Sequence, residues 1–155
     1  KAFEDWVIAP TVRLIYDSRP PFLVNPETEK RLEFDIFAPD YAWATEYMGD
    51  QHFSTTELYP DKNQLKERQK RDLMKVGLCN NNNIRLSVIC KRDLTLGKIL
   101  AAIPPDIPRR CFDPKGPFVQ MLEKVGREVA GKQDYDREGR FEGRGRWQIR
   151  RQGSR

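Results

Sequence analysis

Hydrophobic and polar positions alternate over residues 31–38. Leu32, Phe34 and Ile36 fall on one side, with Glu33, Asp35 and Phe37 on the other. A two-residue period of this kind predicts a β-strand. Pro39, Asp40 and Tyr41 then signal a tight turn. Residues 42–47 are rich in β-formers and predict a second strand ending near Gly49, so the two runs form a hairpin. Asp61 is a suitable N-cap for a helix reaching about Leu78, with Leu65, Leu73 and Val76 as its apolar positions. Four asparagines, Asn80 to Asn83, predict a loop, because Asn tolerates left-handed backbone. Residues 84–90 form a further strand with few polar interruptions, which places it centrally in a sheet. Short helices follow over residues 95–103, stopped by Pro104 and Pro105, and over 118–130. Residues 1–30 are irregular apart from a short strand at 12–16, and the prolines at 20, 21 and 26 exclude a helix there. The order strand–strand–helix–strand–helix predicts an α/β fold, a mixed central β-sheet flanked by helices.

Composition narrows the class. The chain has 155 residues, of which 38% are hydrophobic and 33% charged, enough for one modest core. Residues 1–130 are expected to form that domain. From residue 131 onward Gly, Arg, Asp and Glu dominate around isolated aromatics, which predicts a flexible basic C-terminal tail. No apolar run approaches the roughly 20 residues of a membrane-spanning helix. The N-terminal residues lack the apolar stretch of a signal peptide and read as an internal cut or a processed end. Three scattered cysteines, with no Cys-x-x-Cys pair, argue for a reducing, intracellular compartment, cytoplasmic or nuclear.

Charge is unevenly distributed. Residues 1–50 carry 5 Lys/Arg against 10 Asp/Glu, whereas residues 51–130 carry 15 against 9. An acidic block that can hold cations followed by a basic block that can hold phosphates is what a nuclease needs. If hairpin partners have numbers summing to 81, Asp35 lies opposite Glu46 on one sheet face. Their Cβ atoms would then stand roughly 4.5–5.5 Å apart. Two carboxylates so placed repel unless a proton, a nearby Lys/Arg or a divalent cation neutralises them. Oxygen ligands of this kind suit Mg²⁺, which takes one or two carboxylates and keeps several waters. A strand with alternating acids also commonly presents nothing more than a solvated face.

The stretches Leu32-Glu33-Phe34-Asp35-Ile36-Phe37-Ala38-Pro39 and Glu46-Tyr47-Met48-Gly49-Asp50-Gln51-His52-Phe53, followed by Arg71-Asp72-Leu73-Met74-Lys75, Cys79 and the strand at 84–90, resemble one branch of the PD-(D/E)xK nuclease superfamily. That branch carries a Glu-Tyr-x-Gly-x-Gln-His signature, and the likeness covers residues 31–105. It implies a restriction-endonuclease-like core and a Mg²⁺-dependent DNA endonuclease of mobile-element, restriction or repair type, with Mn²⁺ able to substitute. Asp35 and Glu46 would bind the metal, while Gln51 and His52 would position or activate water. The superfamily's usual Lys falls at Met48, so Lys75 or Lys62 would supply the cation. Glu4 is a candidate for the helical acid that often precedes this hairpin, in a segment without a clear helical pattern. Asp40 falls in the turn, and Glu33 shares the face of Asp35.

Arg68, Arg71 and Lys75 are spaced to share one helix face and are the expected phosphate contacts. In the tail, Arg144 and Arg146 stand near Phe141 and Trp147, a pattern that binds nucleic acid through charge and stacking. Expected partners are DNA and either a second copy or further domains of a longer chain. The competing expectation is a catalytically inactive nucleic-acid-binding module of the same fold, which Met48 favours.

Overall fold

The computed structural model describes residues 1–49 and 61–131. Helix α1 (Ala2–Val7) and strand β1 (Ile15–Ser18) precede the hairpin of β2 (Phe34–Ala38) and β3 (Trp43–Met48). A long helix, α2 (Lys62–Asn81), leads to β4 (Arg85–Cys90), and two further helices follow, α3 (Leu96–Ala102) and α4 (Pro117–Gly131). The strands form one mixed sheet in the order β1-β2-β3-β4, with β3–β4 parallel and the other pairs antiparallel. The expected mixed α/β architecture is therefore observed.

The hairpin has the expected register, with Ile36 opposite Thr45, Phe37 opposite Ala44 and Ala38 opposite Trp43. Its turn is a 3₁₀ segment, Pro39–Tyr41, closed by Ala42 in the left-handed region at φ 45°. Asp61 caps α2 by accepting the Asn63 N–H at 2.7 Å. The helix runs past Cys79 into the asparagines, because the Asn82 amide donates to the Leu78 carbonyl and Asn83 alone takes positive φ.

Four expectations are corrected. Residues 2–7 are helical, with Phe3, Glu4 and Val7 buried. The first strand is displaced to Ile15–Ser18. Strand β4 is an outer strand among the described residues; its apolar run is divided between two faces, and Val88 is 40% exposed. The interior positions belong to β2 and β3, and the residues of β3 from Trp43 to Glu46 are all buried. Lastly, side chains of β2 do not alternate throughout. Phe34 and Phe37 meet in one cluster with ring centroids 5.6 Å apart. The break coincides with Asp17, which takes φ 49° on β1 between the pairs Tyr16–Ile36 and Ser18–Phe34.

Two apolar clusters sandwich the sheet. One joins α1, α3 and α4 to it through Val7, Ile8, Trp43, Ile89, Ile99 and Ile103. The other places Leu23, Phe34, Phe37 and Ala44 against Cys79 of α2. Trp43 is fully buried, and its indole N–H donates to Ser87 Oγ at 3.0 Å; that hydroxyl donates to the Ala102 carbonyl at 2.5 Å. This chain satisfies the polar edge of a large core residue and fastens β3, β4 and α3 together.

Candidate metal centre at the end of the hairpin

Glu46 lies in the last turn of the pleat on β3 and faces α2. It is 8% exposed, so its charge needs support. Lys75 supplies part of it, with Nζ 2.8 Å from Glu46 Oε2, and neither side chain is more than 15% exposed. The other oxygen, Oε1, is buried and has no hydrogen-bond partner among the described residues. Burial pushes the Glu46 carboxyl above the ordinary carboxylate range; Lys75 opposes this, and the neighbouring charges of Asp35 and Asp72 add to it. The same surroundings push the buried Cys79 thiol up to about 11, first through burial and then through Glu46. That thiol stays protonated and unreactive at neutral pH.

Asp35 sits where the hairpin ladder stops. Beyond the Ile36–Thr45 pair, the Tyr47 backbone N–H donates to Asp35 Oδ2 at 2.7 Å. Lys1 Nζ approaches Asp35 Oδ1 at 3.7 Å and also pairs with Asp17. The expected arrangement, two acids opposed on one face, is not observed and is corrected. Glu46 turns toward α2, whereas Asp35 folds back onto the end of its own hairpin and borders the opposite face. The difference falls beside Asp17, which takes φ 49° on the neighbouring strand. Asp35 nevertheless remains within electrostatic reach of Glu46, whose proton affinity it raises.

The inward face of α2 is mixed, and two of the apolar residues expected to mark it are exposed. Leu73 is 68% exposed and Val76 is 41% exposed. Arg68, Asp72, Lys75 and Cys79, at alternating spacings of four, three and four, are among the less exposed positions, together with Leu65, Met74 and Leu78. Lys75 therefore parts company with Arg71, which is exposed and donates to the Glu67 carbonyl at 3.4 Å. Lys62 opens the helix about 20 Å up the axis from Lys75. Asp72 entered the sequence reading only as part of a motif, and its influence on Glu46 required the helix to be docked.

Asp40 is exposed in the turn, and Glu33 accepts from Arg19 Nε at 2.7 Å. Glu4 lies on α1, 3% exposed, with its carboxylate 2.8 Å from the Lys1 amino nitrogen. Gln51, His52, Arg144 and Arg146 lie outside the described residues. No group of three or more His, Cys, Asp or Glu positioned for a metal occurs among the described residues. The donor type present is the one Mg²⁺ takes. The donors are hard carboxylate oxygens, one of them buried without a partner among the described residues, and this ion completes its shell with water. No helix among the described residues is long and apolar enough to cross a membrane.

Comparison with known proteins adds viral relatives whose names state no activity. "Uncharacterized protein 307L" of Invertebrate iridescent virus 6 is 35% identical over 75 residues, 44% of this chain and 38% of that protein. "Uncharacterized protein 094L" of Frog virus 3 (isolate Goorha) is 30% identical over 66 residues, 41% of this chain and 43% of that protein. The matched regions span about two fifths of these relatives' length. No family model matches the chain, and no solved structure matches it.

Proposed function

We propose that the chain is a metal-dependent endonuclease that hydrolyses phosphodiester bonds of DNA, built on a restriction-endonuclease-like core. The supporting observation is the state of Glu46. One carboxylate oxygen is paired with a largely enclosed lysine, the other is buried with no partner among the described residues, and a second acid stands near enough to perturb it. A carboxylate in that condition has a strong reason to take a cation.

Each side chain then has a separate task. Glu46 Oε1 and the Asp35 carboxylate are the groups that would hold Mg²⁺. The Tyr47 N–H fixes the orientation of Asp35. Lys75 holds Glu46 in place and offers positive charge beside the scissile phosphate, the part that Met48 cannot play from the motif position. Gln51 and His52 follow β3 in sequence and are assigned to positioning water, with His52 able to exchange a proton near neutral pH. When bound, Mg²⁺ supplies phosphate polarisation and a more acidic water. Arg71, and the tail arginines Arg144 and Arg146, would grip the nucleic-acid backbone. The setting is intracellular, with a second copy or further domains supplying a second cut.

Nicking of supercoiled plasmid in Mg²⁺ or Mn²⁺ is the direct test. Glu46→Gln is expected to reduce nicking at least about 10²-fold while leaving DNA affinity equal or higher. Equal cleavage by that variant would falsify the assignment. A second reading, an inactive nucleic-acid-binding module, draws on Met48 in the motif position. It predicts no Mg²⁺ heat that depends on Asp35 and Glu46 in a calorimetric titration, together with retained, salt-sensitive DNA affinity.

A further inference from the structure

On the sheet face opposite α2, a cavity of about 190 Å³ lies between the sheet, α1, α3 and α4. Its walls are mainly aliphatic, including Ile36, Ile99, Leu122, Val125 and Val129. Thr45 lines it as well; this residue is 2% exposed, and its Oγ1 has no hydrogen-bond partner among the described residues. Glu4 and Asp35 line it together with Lys1, which pairs with both carboxylates. Tyr47 adds an aromatic ring and is 41% exposed.

We infer that this cavity receives one unstacked nucleobase of the substrate, adjoining the phosphate at Asp35 and Glu46, and that the enzyme prefers nucleic acid with an unpaired nucleotide at the cut. The inference rests on the nuclease reading and adds a substrate class to it. Strand alternation carries the connection. Glu46 points to one side of β3, while its neighbours Thr45 and Tyr47 border the cavity on the other. Asp35 ties the two places together, since it lines the cavity and accepts the backbone N–H of Tyr47, the residue next to Glu46. A nucleotide whose phosphate lay at the carboxylates would bring its base to the cavity at the same strand end.

The chemistry of the walls selects the occupant. Pockets for drug-sized ligands run to roughly 300–1,000 Å³, so this one suits a group of ring size. A base has apolar faces and a hydrogen-bonding edge, and flipped bases are held between apolar or aromatic side chains while that edge is read by polar groups. The unpartnered Thr45 hydroxyl can donate or accept, and the carboxylates accept from N–H groups. Tyr47 provides a stacking surface.

The test uses duplexes carrying 2-aminopurine, either paired or opposite a mismatch, in Ca²⁺ so that binding is read without turnover. The mismatched probe should bind about tenfold more tightly than the paired one and change its fluorescence on binding. Val125→Trp, at a half-exposed position of α4, should fill the cavity and abolish both effects while preserving Glu46-dependent nicking of paired plasmid. Thr45→Val should reduce the preference about fivefold. Equal affinity for the two probes, or an unchanged preference in Val125→Trp, overturns the inference and leaves the nuclease reading intact. Val125-dependent capture of the mismatched base without any Glu46-dependent nicking upholds the base pocket and removes the hydrolase.

Discussion

Glu46 is set between opposing demands. Burial and the charges of Asp35 and Asp72 favour its proton, while Lys75 favours its ionised form; burial is the largest of these influences and the carboxyl titrates above its ordinary range. The folded protein therefore holds a proton that the unfolded chain releases between the ordinary glutamate value and the raised one. The resulting stabilisation is complete below the ordinary value and is lost as pH rises through the raised value. Thermal unfolding in a chelator should show a melting temperature falling across that interval. Glu46→Gln should flatten that part of the profile, and Mg²⁺ should raise the wild-type melting temperature above the interval more than that of the variant. Parallel profiles in the chelator would mean that Glu46 experiences no such environment. The sequence made both acids of the hairpin visible through their two-residue alternation and the shared register. It could not show that Asp35 accepts the Tyr47 N–H beyond the last ladder pair, where Asp17 on the neighbouring strand takes the left-handed conformation.

At the level of elements, α4 is seated by a missing side chain. A Cβ added at Gly126 would stand 2.4 Å from the Leu94 carbonyl oxygen and 3.0 Å from the Leu94 Cβ. Backbone cannot yield as a flexible side chain can, so the helix would have to move. Gly126→Ala gains up to about 1 kcal/mol of helix propensity, yet overpacking of this kind typically costs about 1–3 kcal/mol. The variant should therefore unfold at lower denaturant concentration, whereas a higher midpoint would show that α4 can slide freely. Helix boundaries were largely legible, since Asp61 caps α2 as its chemistry suggests. The inward face of α2 was not. Apolar residues normally mark the buried side, but here Leu73 is exposed and Lys75 is enclosed. A buried carboxylate on the partner strand sets the rule aside at Lys75, and that partner lies beyond the reach of helical periodicity. Strand β4 misled for a related reason: a continuous apolar run fits a central strand, but an outer strand packed on both faces looks the same.

Across the molecule, the acidic first third and the basic middle come together at the contact of Glu46 and Lys75, which divides the basic residues into two kinds. Arg71 is exposed on α2 and free to meet phosphate along a backbone, in exchange for counterions. Lys75 is enclosed and already engaged. Sequence spacing placed the two on one face, and docking of the helix separates them. Each exposed phosphate contact contributes about 0.9 to the slope of log affinity against log salt. Arg71→Ala should consequently weaken DNA binding, lower that slope by about 0.9 and leave cleavage of bound DNA within about twofold. Lys75→Ala should do the reverse, leaving the slope nearly unchanged while reducing single-turnover cleavage at least about 10²-fold, because it leaves Glu46 without its neutralising partner. Fluorescence anisotropy over a salt series, paired with single-turnover nicking at saturating protein, separates the two effects. If both substitutions changed the slope alike and neither affected bound-state cleavage, Lys75 would be one more surface cation, and the enclosed pair would have no part in hydrolysis.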